Sequence, residues 1–498
     1  MTLEEQLLEC LEEECKKLML RFHGYHNYLH INIERKKKRT ATALEKIVKI
    51  PSHWHKDPKF NPFYVYKRRR QIARSIALKI ESGEYKPNEP FQKKIPKPLG
   101  GKRTVAIYQI PDAAVSKFLY KKLLSKNKHR FSSFSYAYRN DRNVHFAIQD
   151  IAVELRQKSR LFIAEFDFSK FFESISHEYL FTQFSENSFL ITENEKILIR
   201  AFLQGERGVP QGTSISLFLA NLVCWSLDKS LERAGLQFAR YADDTVIWSS
   251  DYQKINRAFD IMFQFSKDAS VKINLKKSDG ISILCHKDMP VEISHRKEVV
   301  DFLGYSISVD KVSIRDRSVN RIKREISYIL YSTLIKPLLE PRPYRAFMPN
   351  GKKDPALLSA ISEIRRFLYG NLSEEMISRF LAGNSKRIHF KGIMSFYPLL
   401  TDTVQLAELD GWLVNAIHKA VRLRGKILKK GWYIPFIRFP FYVRESDIVD
   451  EYQRQRVGGK RLLKVPSFRV IHKAIQKGIV EQGVEDVMSK KSVLYDYD

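Results

Sequence analysis

Only four cysteines occur in 498 residues: Cys10, Cys15, Cys224 and Cys285. None forms a Cys-x-x-Cys pair, which excludes a zinc-ligand pattern and a disulfide framework. Free thiols suit a reducing compartment, so a cytoplasmic location is expected. Long hydrophobic runs are also missing. The longest, over 215–227, carries Ser216 and Asn221 and is too short to span a bilayer, so no membrane partner is expected. The N-terminus is acidic and amphipathic, unlike a secretion signal. There is no internal repeat and no long low-complexity segment, which excludes a repeat array. Negative charge is scarce: 56 Asp and Glu face 86 Lys and Arg, for a net charge of +30. A compact chain so charged repels itself unless a polyanion meets it. Nucleic acid is the first expectation, an anionic surface the second. Basic runs at 35–39, 67–70, 93–94 and 422–430 are interleaved with Phe and Tyr, as in a nucleic-acid track.

Against this basic background, Tyr241-Ala242-Asp243-Asp244 stands out. Apolar runs on either side, 236–242 and 245–248, predict two strands with the Asp pair at the tip of a hairpin. A tip can push carboxylate oxygens into a cleft, where hard divalent cations such as magnesium prefer them. Taken alone, the pair would be an ordinary Asp-rich turn. A third carboxylate, Asp167, follows the strand-like run 161–164. Helix-like sequence at 177–204 and 213–233 separates the two, so the strands can become neighbours in one sheet. Three crowded carboxylates repel one another unless cations neutralise them. Two ions about 4 Å apart would do so and would clamp both oxygens of a phosphoryl transfer.

In this order the motifs resemble those of reverse transcriptases. Tyr241 to Asp244 is similar to the Tyr-x-Asp-Asp box, and Asp167-Phe168-Ser169-Lys170-Phe171-Phe172 to the first palm motif. Gly208-Val209-Pro210-Gln211-Gly212 resembles the Pro-Gln-Gly motif of the bacterial and intron-encoded branch. Ile273 to Ser278 resembles the lysine motif that follows, and Phe302-Leu303-Gly304-Tyr305 the hairpin leading to the thumb. Ser135-Tyr136-Ala137-Tyr138-Arg139 resembles a Ser-Tyr-Gly-Phe-Arg stretch, with Ala in place of Gly.

The resemblance implies an α+β right-hand polymerase with helical extensions at both ends. The expected parts are an N-terminal helical extension at 1–60, fingers at 61–150, the palm with its catalytic carboxylates at 151–310, a thumb at 311–400 and a helical C-terminal region at 401–498. It implies RNA-directed DNA synthesis from deoxynucleoside triphosphates, with two magnesium ions, or manganese in their place. Asp167, Asp243 and Asp244 would be catalytic and would hold metal, with Phe168 among the metal-holding positions and at the nucleotide. Arg103, and Lys102 beside it, would grip the triphosphate. A planar guanidinium fork suits phosphate oxygens. Gln211 would lie near the sugar, with Gly212 allowing close backbone approach. Phe172 would exclude the ribose 2′-hydroxyl, and Lys277 would donate a proton to pyrophosphate. Without the resemblance Phe172 would read as core and Lys277 as a surface lysine.

The length, the N-terminal extension and the helical C-terminal part resemble bacterial defence-associated (anti-phage) reverse transcriptases. That implies an antiviral role, a cognate noncoding RNA as template, and RNA–DNA or DNA as product. Where retron enzymes carry Val-Thr-Gly, this chain reads Val312-Ser313-Ile314. The alternatives are an intron-maturase-like splicing cofactor and a non-catalytic RNA-binding scaffold. Tyr136 or Tyr138 could accept a first nucleotide, although core packing is the commoner fate. Thr2 to Glu5 forms a capping box. Leu3, Leu7, Leu11, Cys15 and Leu18 repeat at helical spacing, so this helix needs a partner in this chain or in a homo-oligomer. Residues 342–354 predict a loop, and 495–498 an acidic tail.

Overall fold

The computed structural model describes residues 1–40, 47–96, 101–156, 158–278, 280–291, 295–339, 349, 354–385, 387–432, 439–456 and 459–487. The expected loop at 342–354, apart from Pro349 and Asp354, and the tail at 495–498 lie outside these residues. So do the side chains of the basic run at 35–39.

The chain opens with the helix Leu3–Thr40. Its capping box closes: the Thr2 N–H donates to Glu5 Oε2 (2.8 Å) and the Glu5 N–H to Thr2 Oγ1 (3.2 Å). Leu7, Cys10, Leu11 and Cys15 are buried as the helix packs on the helices Arg69–Glu81 and Ile110–Asn127. Its acidic side pairs with them: Arg69 with Glu12 (2.6 Å), Lys117 with Glu14 (2.9 Å) and Lys121 with Glu13 (2.8 Å). The helix's partner is therefore this chain, and the expected 1–60 extension shares one core with the fingers.

Among the described residues, ten strands form three sheets. β1 (Phe91–Pro96) and β2 (Lys102–Ile107) make an antiparallel pair. β3 (Arg160–Phe166), β4 (Gln237–Tyr241), β5 (Asp244–Ser249), β6 (Ser282–Cys285) and β7 (Arg296–Lys297) form the central sheet, in the order β4-β5-β3-β6-β7. β8 (Val300–Phe302), β9 (Tyr305–Ile307) and β10 (Val312–Ile314) form a small meander. The β8–β9 turn places Leu303 and Gly304 at φ 50° and 85°, as a two-residue hairpin with the right twist requires.

The central sheet is a wall between two cores. Side chains alternate along a strand, so Leu161, Ile163, Ala239, Val246 and Trp248 face one core while Ala164, Phe166, Phe238 and Ile247 face the other. The second core joins the fingers, the N-terminal helix and the helix Tyr252–Asp268. That helix starts at Asp251, whose carboxylate accepts from the Gln253 N–H (2.8 Å), a cap worth about 1 kcal/mol. It buries Ile255, Ala258, Met262 and Phe265 at helical spacing.

The first core continues into the helices Asp316–Leu330, Pro355–Tyr369, Thr403–Trp432 and Phe468–Gln482. It crosses position 400 without a break, so the segments on either side of that position share one core. Asp316–Leu330 buries Val319, Ile322, Ile326 and Leu330. Its opposite side exposes Arg317, Arg321 and Arg324, and the stripe runs on to Tyr328 and Tyr331. Among the described residues no helix is long and apolar enough to cross a membrane.

Candidate active site

The register of the central sheet assembles the site. β3 runs antiparallel to β5 with Phe166 opposite Thr245. One step further, Asp167 comes opposite Asp244. In β4–β5, Tyr241 pairs with Asp244, leaving Ala242 and Asp243 as a two-residue turn. Ala242 takes a left-handed φ of 61°, which costs an L-residue about 1–2 kcal/mol. By the same alternation Glu165, Asp167 and Asp244 share a face of the sheet, beyond the end of its apolar rows.

The carboxylates feel one another. Burial raises the Asp243 pKa, and the charge on Asp167 adds to the rise, while Lys277 and Arg103 oppose it. Asp244 is pushed up to about 7, first by burial and then by Asp243, Asp167 and Glu165. Asp167 is held from the lysine motif. Its N–H donates to Ser278 Oγ (3.1 Å), and its carbonyl accepts the Asn274 N–H (2.8 Å). Its Oδ2 accepts from Asn274 Nδ2 (2.8 Å) and lies 3.1 Å from Lys277 Nζ.

Among the described residues, no three His, Cys, Asp or Glu side chains are arranged to hold a metal ion as they stand. Asp167 Oδ2 is engaged by an ammonium and an amide instead. The donor set nevertheless fits a hard divalent cation. It is all oxygen, and the mutual repulsion that raises Asp243 and Asp244 is what a cation would relieve. Phe168 can meet its expected metal-holding role only through its backbone. Its buried ring stacks on Phe171 (centroids 5.8 Å apart) and meets Phe265 edge-on, so only its main chain, bridged to Ile273, could contribute.

The nucleotide-side candidates converge from the fingers. Arg103, exposed on β2, donates from Nε to Gln211 Oε1, and Lys102 is exposed beside it. The Ala106 N–H donates to the Gln211 carbonyl (2.9 Å). Gly212, at φ 113°, lies so close to β2 that an added Cβ would fall 2.4 Å from the Ala106 carbonyl oxygen. Its backbone is thus pressed against the fingers strand. Phe172 is buried at the base of the cleft, edge-on to Phe171 and Tyr138, and Tyr138 faces Tyr241 (6.4 Å). Tyr136 is buried and donates to Asp150 Oδ2 (2.6 Å), the core packing expected as its commoner fate. Tyr138 is half-buried at the cleft.

Two groups escaped the sequence reading. Arg240 is fully buried and bonds both Asp228 oxygens, each at 2.6 Å. Burial opposes its charge, but the Asp228 carboxylate holds its pKa above the ordinary arginine value. It also donates to the Ala242 carbonyl (3.0 Å) and to Ser135 Oγ (2.8 Å). The signal was present: a charged residue inside an apolar strand needs a buried partner. Glu165, paired with Lys297, was missed because it read only as the end of an apolar run.

Residues 95–307 match the family described as reverse transcriptase (RNA-dependent DNA polymerase). Protein YkfC of Escherichia coli K12 is 27% identical over 196 residues, 37% of this chain and 50% of that protein. The retron Ec86 reverse transcriptase of Escherichia coli is 29% identical over 175 residues, 34% of this chain and 49% of that enzyme. The chain thus spans about half the length of these curated relatives. Apo telomerase from Candida tropicalis superposes with a TM-score of 0.36 at 12% identity, over 84% of this chain and 68% of that one, a likeness too distant to bear on function.

Proposed function

We propose that this chain, whose residues 95–307 form a reverse transcriptase domain, is an RNA-directed DNA polymerase that extends a 3′-hydroxyl with deoxynucleotides on an RNA template. The observation that carries the reading is the strand register that sets Asp167 opposite the Asp243-Asp244 turn, beside Lys277. When bound, magnesium or manganese would lower the pKa of the attacking hydroxyl and neutralise the triphosphate. Asp167, Asp243 and Asp244 would hold it.

The chain's own groups position and screen. Arg103, with Lys102 beside it, would take triphosphate oxygens, exchanging its bond to Gln211 for phosphate. Gln211 would then turn to the sugar. Phe172 would close the space a 2′-hydroxyl needs, backed by Phe171 and Tyr138. Lys277 would release Asp167 and offer its proton to the leaving pyrophosphate. Catalysis of this kind is mostly positioning and charge neutralisation. The stripe of Arg317, Arg321 and Arg324, continued by Tyr328 and Tyr331, suits a duplex product alongside the thumb.

The biological setting we favour is anti-phage defence, with a cognate noncoding RNA as template. It is supported by the net charge of +30 and by the partial likeness to a retron enzyme. The test is to purify the chain from its native host and sequence the RNA and DNA it carries. A single abundant noncoding RNA with complementary or homopolymeric DNA, lost in Asp243→Asn, would support the proposal. Intron RNA, or RNA without DNA under any condition, would overturn it in favour of a maturase-like or scaffold role.

A further inference from the structure

The strongest feature not used by the reaction lies directly behind the catalytic turn. Arg240 is wholly buried, and its guanidinium ties three other segments to that turn. Asp228 comes from the helix Trp225–Arg233, Asn221 (3.4 Å) from the helix Ser214–Val223, and Ser135 from the Ser-Tyr-Ala-Tyr-Arg stretch. The Arg240 main chain is held as well, donating to the Phe134 carbonyl and accepting from the Tyr136 N–H, both at 3.0 Å. Nη1 reaches past Tyr241 to the carbonyl of Ala242, the residue in the left-handed conformation. An unassisted Ala-Asp turn has cheaper conformations available, and a buried charge-assisted hydrogen bond to its carbonyl selects this one.

We propose that the Arg240–Asp228 pair is the positioning device of the catalytic turn. It fixes the Ala242 peptide, and through it the direction in which Asp243 presents its carboxylate to a divalent cation. Arg240 touches neither substrate nor cation and acts only through the turn. This rests on the reading of Asp243 as a cation ligand.

The experiment uses the full chain and two readouts. One is Mn2+ affinity from electron paramagnetic resonance titration without substrate, and the other is the Mg2+ dependence of primer extension. Two variants are compared, Arg240→Lys and the double variant Asp228→Leu with Arg240→Met. The double variant removes both buried charges together and so spares the fold the cost of an unpaired one. Both should bind Mn2+ roughly 10- to 100-fold more weakly, the range seen when groups that orient metal ligands are removed. The Mg2+ concentration for half-maximal rate should rise to match, while RNA binding and the double variant's melting temperature stay near the parent's. A double variant that melts like the parent and binds Mn2+ with parental affinity overturns the proposal. Should the double variant melt early, Arg240→Lys is read by the same criterion. Asp243→Asn separates this inference from the reading beneath it. If that variant binds Mn2+ like the parent, the ligand assignment itself fails. If it loses Mn2+ while the Arg240 variants keep it, only the positioning role fails.

Discussion

Among the described residues, each half of the molecule has a wholly buried Arg–Asp pair, and the surroundings of the two differ. In the central sheet, Arg240 and Asp228 sit behind the Asp243-Asp244 turn, and Arg240 donates to the Ala242 carbonyl. In the thumb and C-terminal half, Arg424 pairs with Asp354 (3.1 Å) and donates to the Leu334 carbonyl (3.0 Å). Asp354 also caps the helix Pro355–Tyr369 through the Ala356 N–H (3.0 Å). The chemistry is the same and so is the burial, but only the first pair is connected to carboxylates that repel one another. A buried ion pair is weak evidence of net stability. What it does well is select one arrangement of the backbone around it. In the central sheet that arrangement is a turn carrying acid groups, whereas in the other half it is the junction of three helical segments.

The comparison is sharpest at the carboxylates. Asp243→Asn should lower primer extension at least about 10⁴-fold without lowering the melting temperature or RNA affinity. Single-turnover extension beside a filter-binding titration checks this, and normal synthesis would sink the site assignment. The counterpart in the other half is Asp354→Ala. It should cost about 3–5 kcal/mol by stranding Arg424, visible in urea unfolding, with the rate per folded molecule unchanged. An equal loss of rate there would erase the distinction between the halves.

Two glycines extend the contrast. An added Cβ at Gly212 would meet the Ala106 carbonyl, and one at Gly392 would fall 2.0 Å from the Leu368 carbonyl. Each change to Ala should destabilise by about 2–3 kcal/mol through overpacking. Gly212→Ala should also raise KM for nucleotide, because it moves Gln211 and Arg103 away from the cleft. Gly392→Ala should leave KM alone.

The smallest effect is a pH dependence. Asp244 is raised to about 7 in the folded chain, against 3.8 for the ordinary carboxyl. The folded state therefore holds a proton that the unfolded chain releases near pH 4. The contribution to stability is full below about pH 4 and is lost as pH rises towards 7. Asp244→Asn should then stabilise the cation-free protein at pH 8 and change nothing at pH 4. Thermal melts at both pH values, with and without magnesium, check this. Equal gains at the two pH values would mean that the repulsion is unimportant.

Much of the site was legible because its parts are local. The Tyr-x-Asp-Asp turn, the strand ending at Asp167 and the capping box at Thr2 each depend on residues a few positions apart, and local propensity and alternation expose them. The four cysteines also read correctly as free thiols, and all are buried. The surfaces that the segments before 60 and after 400 pack against were not legible. A helix that buries Leu7 and Leu11 looks the same whether the surface it meets belongs to its own fingers or to another protein.

The sequence by itself determined which carboxylates exist, which strands carry them and how basic the surface must be. These follow from composition and from periods of 2 and 3.6 residues. Only the tertiary structure decided that Gly212 meets β2, that Lys277 and Asn274 hold Asp167, and that Arg240 reaches Ala242. Each is a contact between segments brought together by sheet register and helix packing, and a hydrogen bond of about 3 Å leaves no periodic trace in the chain that makes it.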